Sequence, residues 1–192
     1  MVRSLFGPLA WRALLLATLM AWLSAAFLPA AAQGVDRLEL QVRKPDGNLV
    51  LDYNVRLQLP RAVDEALQRG VPIYFEAQAT TYRPRWYWRD ERVGRAHRSW
   101  RLSFQPLTAS WRVSQGGLHQ SYGSQSDALA AISRATNWPI ADLSKVEPDQ
   151  PLYVDFTFRL DTGQLPRPMQ IGIGTLADWT LQVERTVQVE PQ

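Results

Sequence analysis

The sequence predicts a mainly β protein, an antiparallel β-sandwich of immunoglobulin-like or related type with two short helices. Three observations carry that expectation. Apolar and polar side chains alternate in several separate stretches, the period of a strand with one buried face. Clusters of Gly, Pro, Asn and Asp punctuate those stretches where tight turns are needed. Helical spacing is confined to two brief segments. With 192 residues, 46% of them hydrophobic, the chain can bury one domain-sized core.

The amino-terminal stretch has the three-part layout of a secretory signal peptide. Arg3 and Arg12 precede an almost wholly apolar run over residues 13–27, and Pro29 and three alanines lead to Gln33. Residues 1–32 are therefore read as a signal peptide, with an uncleaved anchor as the alternative. A spanning helix wants about 20 apolar residues, and this run is shorter, contains Ser24 and stops at Pro29. Residues 33–192 are read as a single sandwich domain. Its expected location is the periplasm, tethered to the inner membrane if the leader stays on.

Charge and cysteine content narrow the function classes. Removing Arg3 and Arg12 from 21 basic residues leaves 19 against 18 acidic ones, a net charge of +1. A near-neutral chain lacks the overall basic footprint of a general nucleic-acid binder. The absence of cysteine removes disulfides, thiolate metal sites and a cysteine nucleophile. The domain then depends on its hydrophobic core alone.

In chain order, residues 36–43 place Leu38, Leu40 and Val42 on one side of a strand. The run from Lys44 through Asn48 is turn chemistry. Leu49, Leu51, Tyr53, Val55, Leu57 and Leu59 then alternate with polar residues, completing a hairpin. Pro60 is placed to open a helix, with Ala62, Val63, Ala66 and Leu67 on one face and Gly70 to end it. Residues 71–82 resume alternation, with Ile73, Phe75, Ala77 and Ala79 inward. The next strands form a meander, with turns expected at residues 93–96 and 105–108. Residues 118–122 suit a further short strand after Gly116 and Gly117, which read as a turn rather than a phosphate cradle. Ser124 to Asp127 resembles a helix start and residues 128–135 a helix, stopped by Trp138 and Pro139. Residues 152–160 alternate again, residues 161–169 are irregular, and Trp179, Leu181, Val183, Val187 and Val189 suggest a last strand.

The stretch over residues 82–114 stands apart. It holds four of the eight tryptophans and eight arginines. Read as a strand over residues 82–91, it puts Tyr82, Trp86 and Trp88 on one face and Arg83, Arg85 and Arg89 on the other. On the following strand Arg101 lies opposite Trp100, Leu102 and Phe104. The tryptophans are expected in the core. Seven arginines from Arg83 to Arg101 meet only two nearby acids, Asp90 and Glu91. One reading is a structural ladder of ion pairs. The other is a binding face, since like charges across a ladder destabilise it by roughly 0.2–1 kcal/mol per pair unless an anion intervenes. Arg83, Arg85, Trp86, Trp88, Arg89 and Arg101 are the candidate binding residues.

Catalytic patterns are absent. His97 and His119 are the two histidines, and neither has metal-ligand spacing to a partner. No nucleophile elbow, zinc-protease helix or phosphate loop occurs, and nothing calls for a cofactor. Asp90 and Glu91 are adjacent, so on a strand they would face opposite ways.

The motifs Y-R-P-R-W-Y-W-R-D-E, R-S-W-R-L-S-F-Q-P-L-T, W-R-V-S-Q-G-G-L-H-Q-S-Y and L-D-T-G-Q-L-P-R-P-M-Q occur in that order. Together they make the chain resemble a proteobacterial family of exported proteins known as domain of unknown function 4390. The likeness covers roughly residues 35–185; Met169 stands where an aromatic is expected, and the tail beyond Arg185 is individual. No activity attaches to that family. Its genes often lie beside a membrane sensor histidine kinase of the nitrogen-regulation type. The resemblance therefore implies a non-enzymatic envelope module that partners such a kinase or another envelope protein. The residues alone leave open a second partner class, an anionic lipid headgroup or cell-wall polymer.

Overall fold

The computed structural model describes residues 35–144, 146–147, 150–165 and 179–189. The stretch read as a leader, and the part beyond Leu165 of the segment expected to be irregular, lie outside the described residues. Within them the protein is mainly β, with two antiparallel sheets and two α-helices.

The smaller sheet has the order β1–β2–β7, from Val35–Arg43, Asn48–Leu57 and Arg134–Asp142. The larger has the order β6–β5–β4–β3–β8–β9, from Leu118–Tyr122, Ser110–Gln115, Glu91–Gln105, Ile73–Arg83, Leu152–Leu160 and Gln182–Val189. Their inner faces share one apolar core. Tyr53 of β2 meets Phe156 and Phe158 of β8 at ring distances of 5.0 and 6.3 Å, and Phe158 also meets Phe75 and Trp100. Burial pushes the Tyr53 hydroxyl well above the ordinary phenol range, and the Arg98 charge only partly opposes this.

The β1–β2 hairpin forms where turn chemistry puts it. Asp46 and Gly47 both have positive φ, 45° and 75°, as a tight two-residue hairpin loop requires. On β3, Ile73, Phe75, Ala77 and Ala79 face inward, as their spacing predicts. Helix α1, Arg61–Gln68, starts after Pro60 and buries Val63, Ala66 and Leu67. It ends in a Schellman turn: Val71 N–H donates to the Ala66 carbonyl and Gly70 N–H to that of Leu67, with Gly70 at φ +83°. Helix α2, Gln125–Ser133, is capped by Ser124, whose hydroxyl accepts from the Asp127 amide at 3.1 Å.

Three expectations are corrected. The expected turn at residues 93–96 lies inside β4, which runs unbroken from Glu91 to Gln105. Gly94 marks a close crossing there rather than a turn. A Cβ on it would stand 2.6 Å from Ala141 Cβ and 2.8 Å from the Ile140 carbonyl, where β7 passes over β4. The helix expected to reach residue 135 stops at Ser133, and the chain continues directly as β7. Pro139 is tolerated in that strand because β7 is the edge of its sheet. The third correction concerns residues 82–91.

Candidate functional site

The chain over residues 82–91 is not a strand. β3 ends at Arg83, where Pro84 removes a backbone donor, and residues 84–90 form the loop of the β3–β4 hairpin. Trp86 and Trp88 are not core residues: they are 92% and 75% exposed, and Tyr87 between them is 66% exposed. The alternation was real but had nothing to pack against. β8 pairs with β3 only as far as Tyr153 opposite Tyr82, so among the described residues no strand lies alongside the chain beyond Arg83.

The loop is nonetheless braced from below. Asp90 accepts the Tyr153 hydroxyl at 2.6 Å and the Arg85 amide at 3.2 Å, closing the loop across its neck. Tyr153 in turn stacks on Tyr82 at 5.3 Å. Both Arg83 and Arg85 bond to one oxygen of Glu91, and Arg83 also donates to Gln150 at 2.6 Å. These contacts shift the acids and the phenol. The bond from Tyr153, then that from the Arg85 amide, hold the Asp90 carboxyl below the usual carboxylate range. The bonds from Arg83 and then Arg85 do the same for Glu91. Tyr153 is pushed up to about 12, chiefly by its bond to Asp90.

Above this base the aromatic tip stands clear. Trp86 meets Tyr87 edge-on at 5.1 Å. A shallow groove of about 440 Å³ runs beneath, lined by Arg83, Pro84, Arg85, Trp86, Gln150 and Pro151. Six exposed or half-exposed side chains with cationic and aromatic character thus share one hairpin end.

The structure brings together five of the six candidate residues: Arg83, Arg85, Trp86, Trp88 and Arg89. It does not bring Arg101, which lies ten residues along β4, roughly 33 Å at the usual strand rise. The arginines divide in two. Arg83 and Arg85 pair with Glu91, Arg95 donates to Gln78 at 2.6 Å, and Arg98 turns inward over the Trp138 ring at 5.0 Å. Arg89, Arg92 and Arg101 have no such partner among the described residues. Ion pairing within the fold is thus seen for Arg83 and Arg85, a neutral hydrogen bond for Arg95 and a ring contact for Arg98.

Sequence reasoning missed two features. Arg92, Arg95, His97 and Arg101 fall on the outer face of β4, opposite Tyr82, Thr80, Gln78 and Tyr74 of β3. From residue 92 to residue 126 the chain has no acid at all, a signal present in the sequence. The histidines are engaged within the sheet: His97 Nε2 lies 2.8 Å from Glu76, which also takes Arg159, and His119 shares a hydrogen bond of 2.7 Å with Ser114. Among the described residues no three His, Cys, Asp or Glu side chains come together as metal ligands would.

Fold and site together define a two-sheet β-sandwich domain carrying an exposed aromatic hairpin tip on a hydrogen-bonded base. The chain belongs to the family of domain of unknown function 4390 (DUF4390), which matches residues 32–189. No curated protein and no solved structure matches it.

Proposed function

We propose that this protein is a non-enzymatic, exported interaction module of the cell envelope that docks onto a partner protein through its aromatic hairpin tip. The observation that carries the reading is the trio Trp86, Tyr87 and Trp88, held in solvent on a loop whose base is fixed by five hydrogen-bonded side chains, Arg83, Arg85, Asp90, Glu91 and Tyr153. Each such ring can bury about 150–250 Å². Covering half of that area on three rings is worth on the order of 7 kcal/mol at ~25 cal/mol/Å², before the cost of association. Trp, Tyr and Arg are the residue types that dominate binding energy at protein interfaces, and a loop already ordered loses little entropy on docking. The leader supports export, and the gene neighbourhood implied by the family resemblance makes the extracytoplasmic part of a membrane sensor histidine kinase the partner to test.

The experiment is binding of the purified protein to that kinase segment. Replacing Trp86 and Trp88 together by serine is expected to weaken binding at least tenfold, with the thermal midpoint unchanged because both rings are already exposed. Unchanged binding by the double variant overturns the reading. A second reading, binding of an anionic lipid headgroup or cell-wall polymer, is favoured by Arg89, Arg92 and Arg101 and by the acid-free run that follows Glu91. It predicts binding to vesicles rich in phosphatidylglycerol that fades as salt rises. No binding, or binding indifferent to salt, removes it.

A further inference from the structure

Away from the hairpin tip, three arginines far apart in sequence converge on one cleft. Arg37 of β1 stands directly opposite Arg56 of β2. Arg134, where α2 passes into β7, is opposite Asn54 of β2, one register step along the same face. The cleft holds about 330 Å³, and its apolar floor includes Leu57 and Leu129 of α2. Glu39 is the one carboxylate among its described lining residues. That carboxylate accepts from Asn54 at 3.4 Å and lies 3.9 Å from Arg37. Arg56 and Arg134 have no ion pair with a described side chain.

A directly opposed pair of like charges destabilises an antiparallel ladder. Here a third guanidinium adds to the pair, and among the described lining residues a single acid, Glu39, already shared with Asn54, stands with all three. Guanidinium forks match the oxygens of phosphate and carboxylate, and several converging on one concave site bind such a group better than any alone. The volume is at the lower end of small-molecule sites, and the floor offers contact to a short hydrocarbon portion.

We infer that this cleft binds a small amphipathic oxyanion, a phosphate monoester or carboxylate with a short apolar tail, its charged group held by Arg37, Arg56 and Arg134 and its tail on Leu57 and Leu129. The site is independent of the aromatic tip, so neither needs the other.

The test is calorimetric titration and thermal melting of the purified protein with n-butyl phosphate, inorganic phosphate and butyrate, each against sodium chloride at equal ionic strength. n-Butyl phosphate is expected to raise the midpoint, and to bind more tightly than inorganic phosphate because the tail adds apolar contact. Whether butyl phosphate or butyrate binds more tightly assigns the natural headgroup. Arg56→Gln and Arg134→Gln are each expected to weaken binding at least fivefold. In chloride alone, Arg56→Gln should melt no lower than the native protein, because it removes the opposed charge. The inference is overturned if none of the organic anions exceeds chloride, or if both variants bind as the native protein does. It is equally overturned if Arg56→Gln melts lower in chloride alone, which makes the arginine a structural residue. The Trp86→Ser, Trp88→Ser double variant should bind n-butyl phosphate normally; loss there would tie the effect to the hairpin instead.

Discussion

Thr81 shows how closely individual positions are specified. Its side chain faces the core with 0% exposure, and its Oγ1 finds no hydrogen-bond partner among the described residues. A buried hydroxyl left unsatisfied costs about 1–3 kcal/mol. Thr81→Val keeps the shape and removes that group, so it should raise stability by about 1 kcal/mol, read as a higher urea midpoint at unchanged slope. A fall would mean that the hydroxyl is satisfied in solution. Gly94 is the opposite case. Its φ is ordinary, so the demand for glycine comes from the neighbours and not from the backbone. Gly94→Ala should destabilise by about 1–3 kcal/mol, the usual range for overpacking. Adding Ala141→Gly should restore only part of the loss, because the Ile140 carbonyl and Ala141 Cα remain within 2.9 Å of the new atom. Full rescue would show that the strands can separate there.

The β3–β4 hairpin behaves as an element because its brace is electrostatic. A carboxylate with a depressed folded pKa contributes stability that is complete above its unfolded value, 3.8 for Asp90 and 4.5 for Glu91, and lost as pH falls through the folded value. The raised Tyr153 contributes stability that is complete below 10.0 and lost as pH rises through about 12. Between those limits the indole signals of Trp86 and Trp88 should stay constant in a pH titration. Below them the signals should move before the core unfolds, since among the described residues the side chains of these acids bond only to Arg83, Arg85 and Tyr153. Concerted change with global unfolding would mean that the brace has no separate existence. Glu91→Gln should speed amide exchange at Arg85 at neutral pH while leaving the thermal midpoint almost unmoved, because exposed ion pairs contribute little to global stability.

At the scale of the molecule, the two sheets close over a core without using Trp86, Tyr87 or Trp88, and this separation frees the tip to act outward. Serine at both tryptophans should leave the melting transition unchanged and improve solubility at high concentration, measured by light scattering. A lowered midpoint would place the rings against the fold in solution. Much of this architecture was legible in the chain. The alternation in β2, β3 and β8 named the inward residues, and Gly70 and Ser124 stood at the helix ends that they were expected to mark. The strand β7 was not legible, because its sequence follows a helix without a turn and contains Pro139, which only an edge position tolerates.

Local sequence by itself determined which side chains share a face in β2, β3 and β8, where the Asp46–Gly47 turn falls and that the chain is a mainly β sandwich, because periodicity and turn chemistry act over a few neighbouring residues. Only the tertiary structure decided whether a face is covered. Trp100 and Trp86 are the same residue in similar surroundings along the chain, yet one is 4% exposed and the other 92%. Trp100 packs against Phe158 of β8, fifty residues and more downstream, whereas Trp86 stands on a loop beyond the last β3–β8 pair, Tyr82 with Tyr153. The convergence of Arg37, Arg56 and Arg134 is of the same kind: strand pairing across long separations sets which charges meet, and no short-range pattern encodes it.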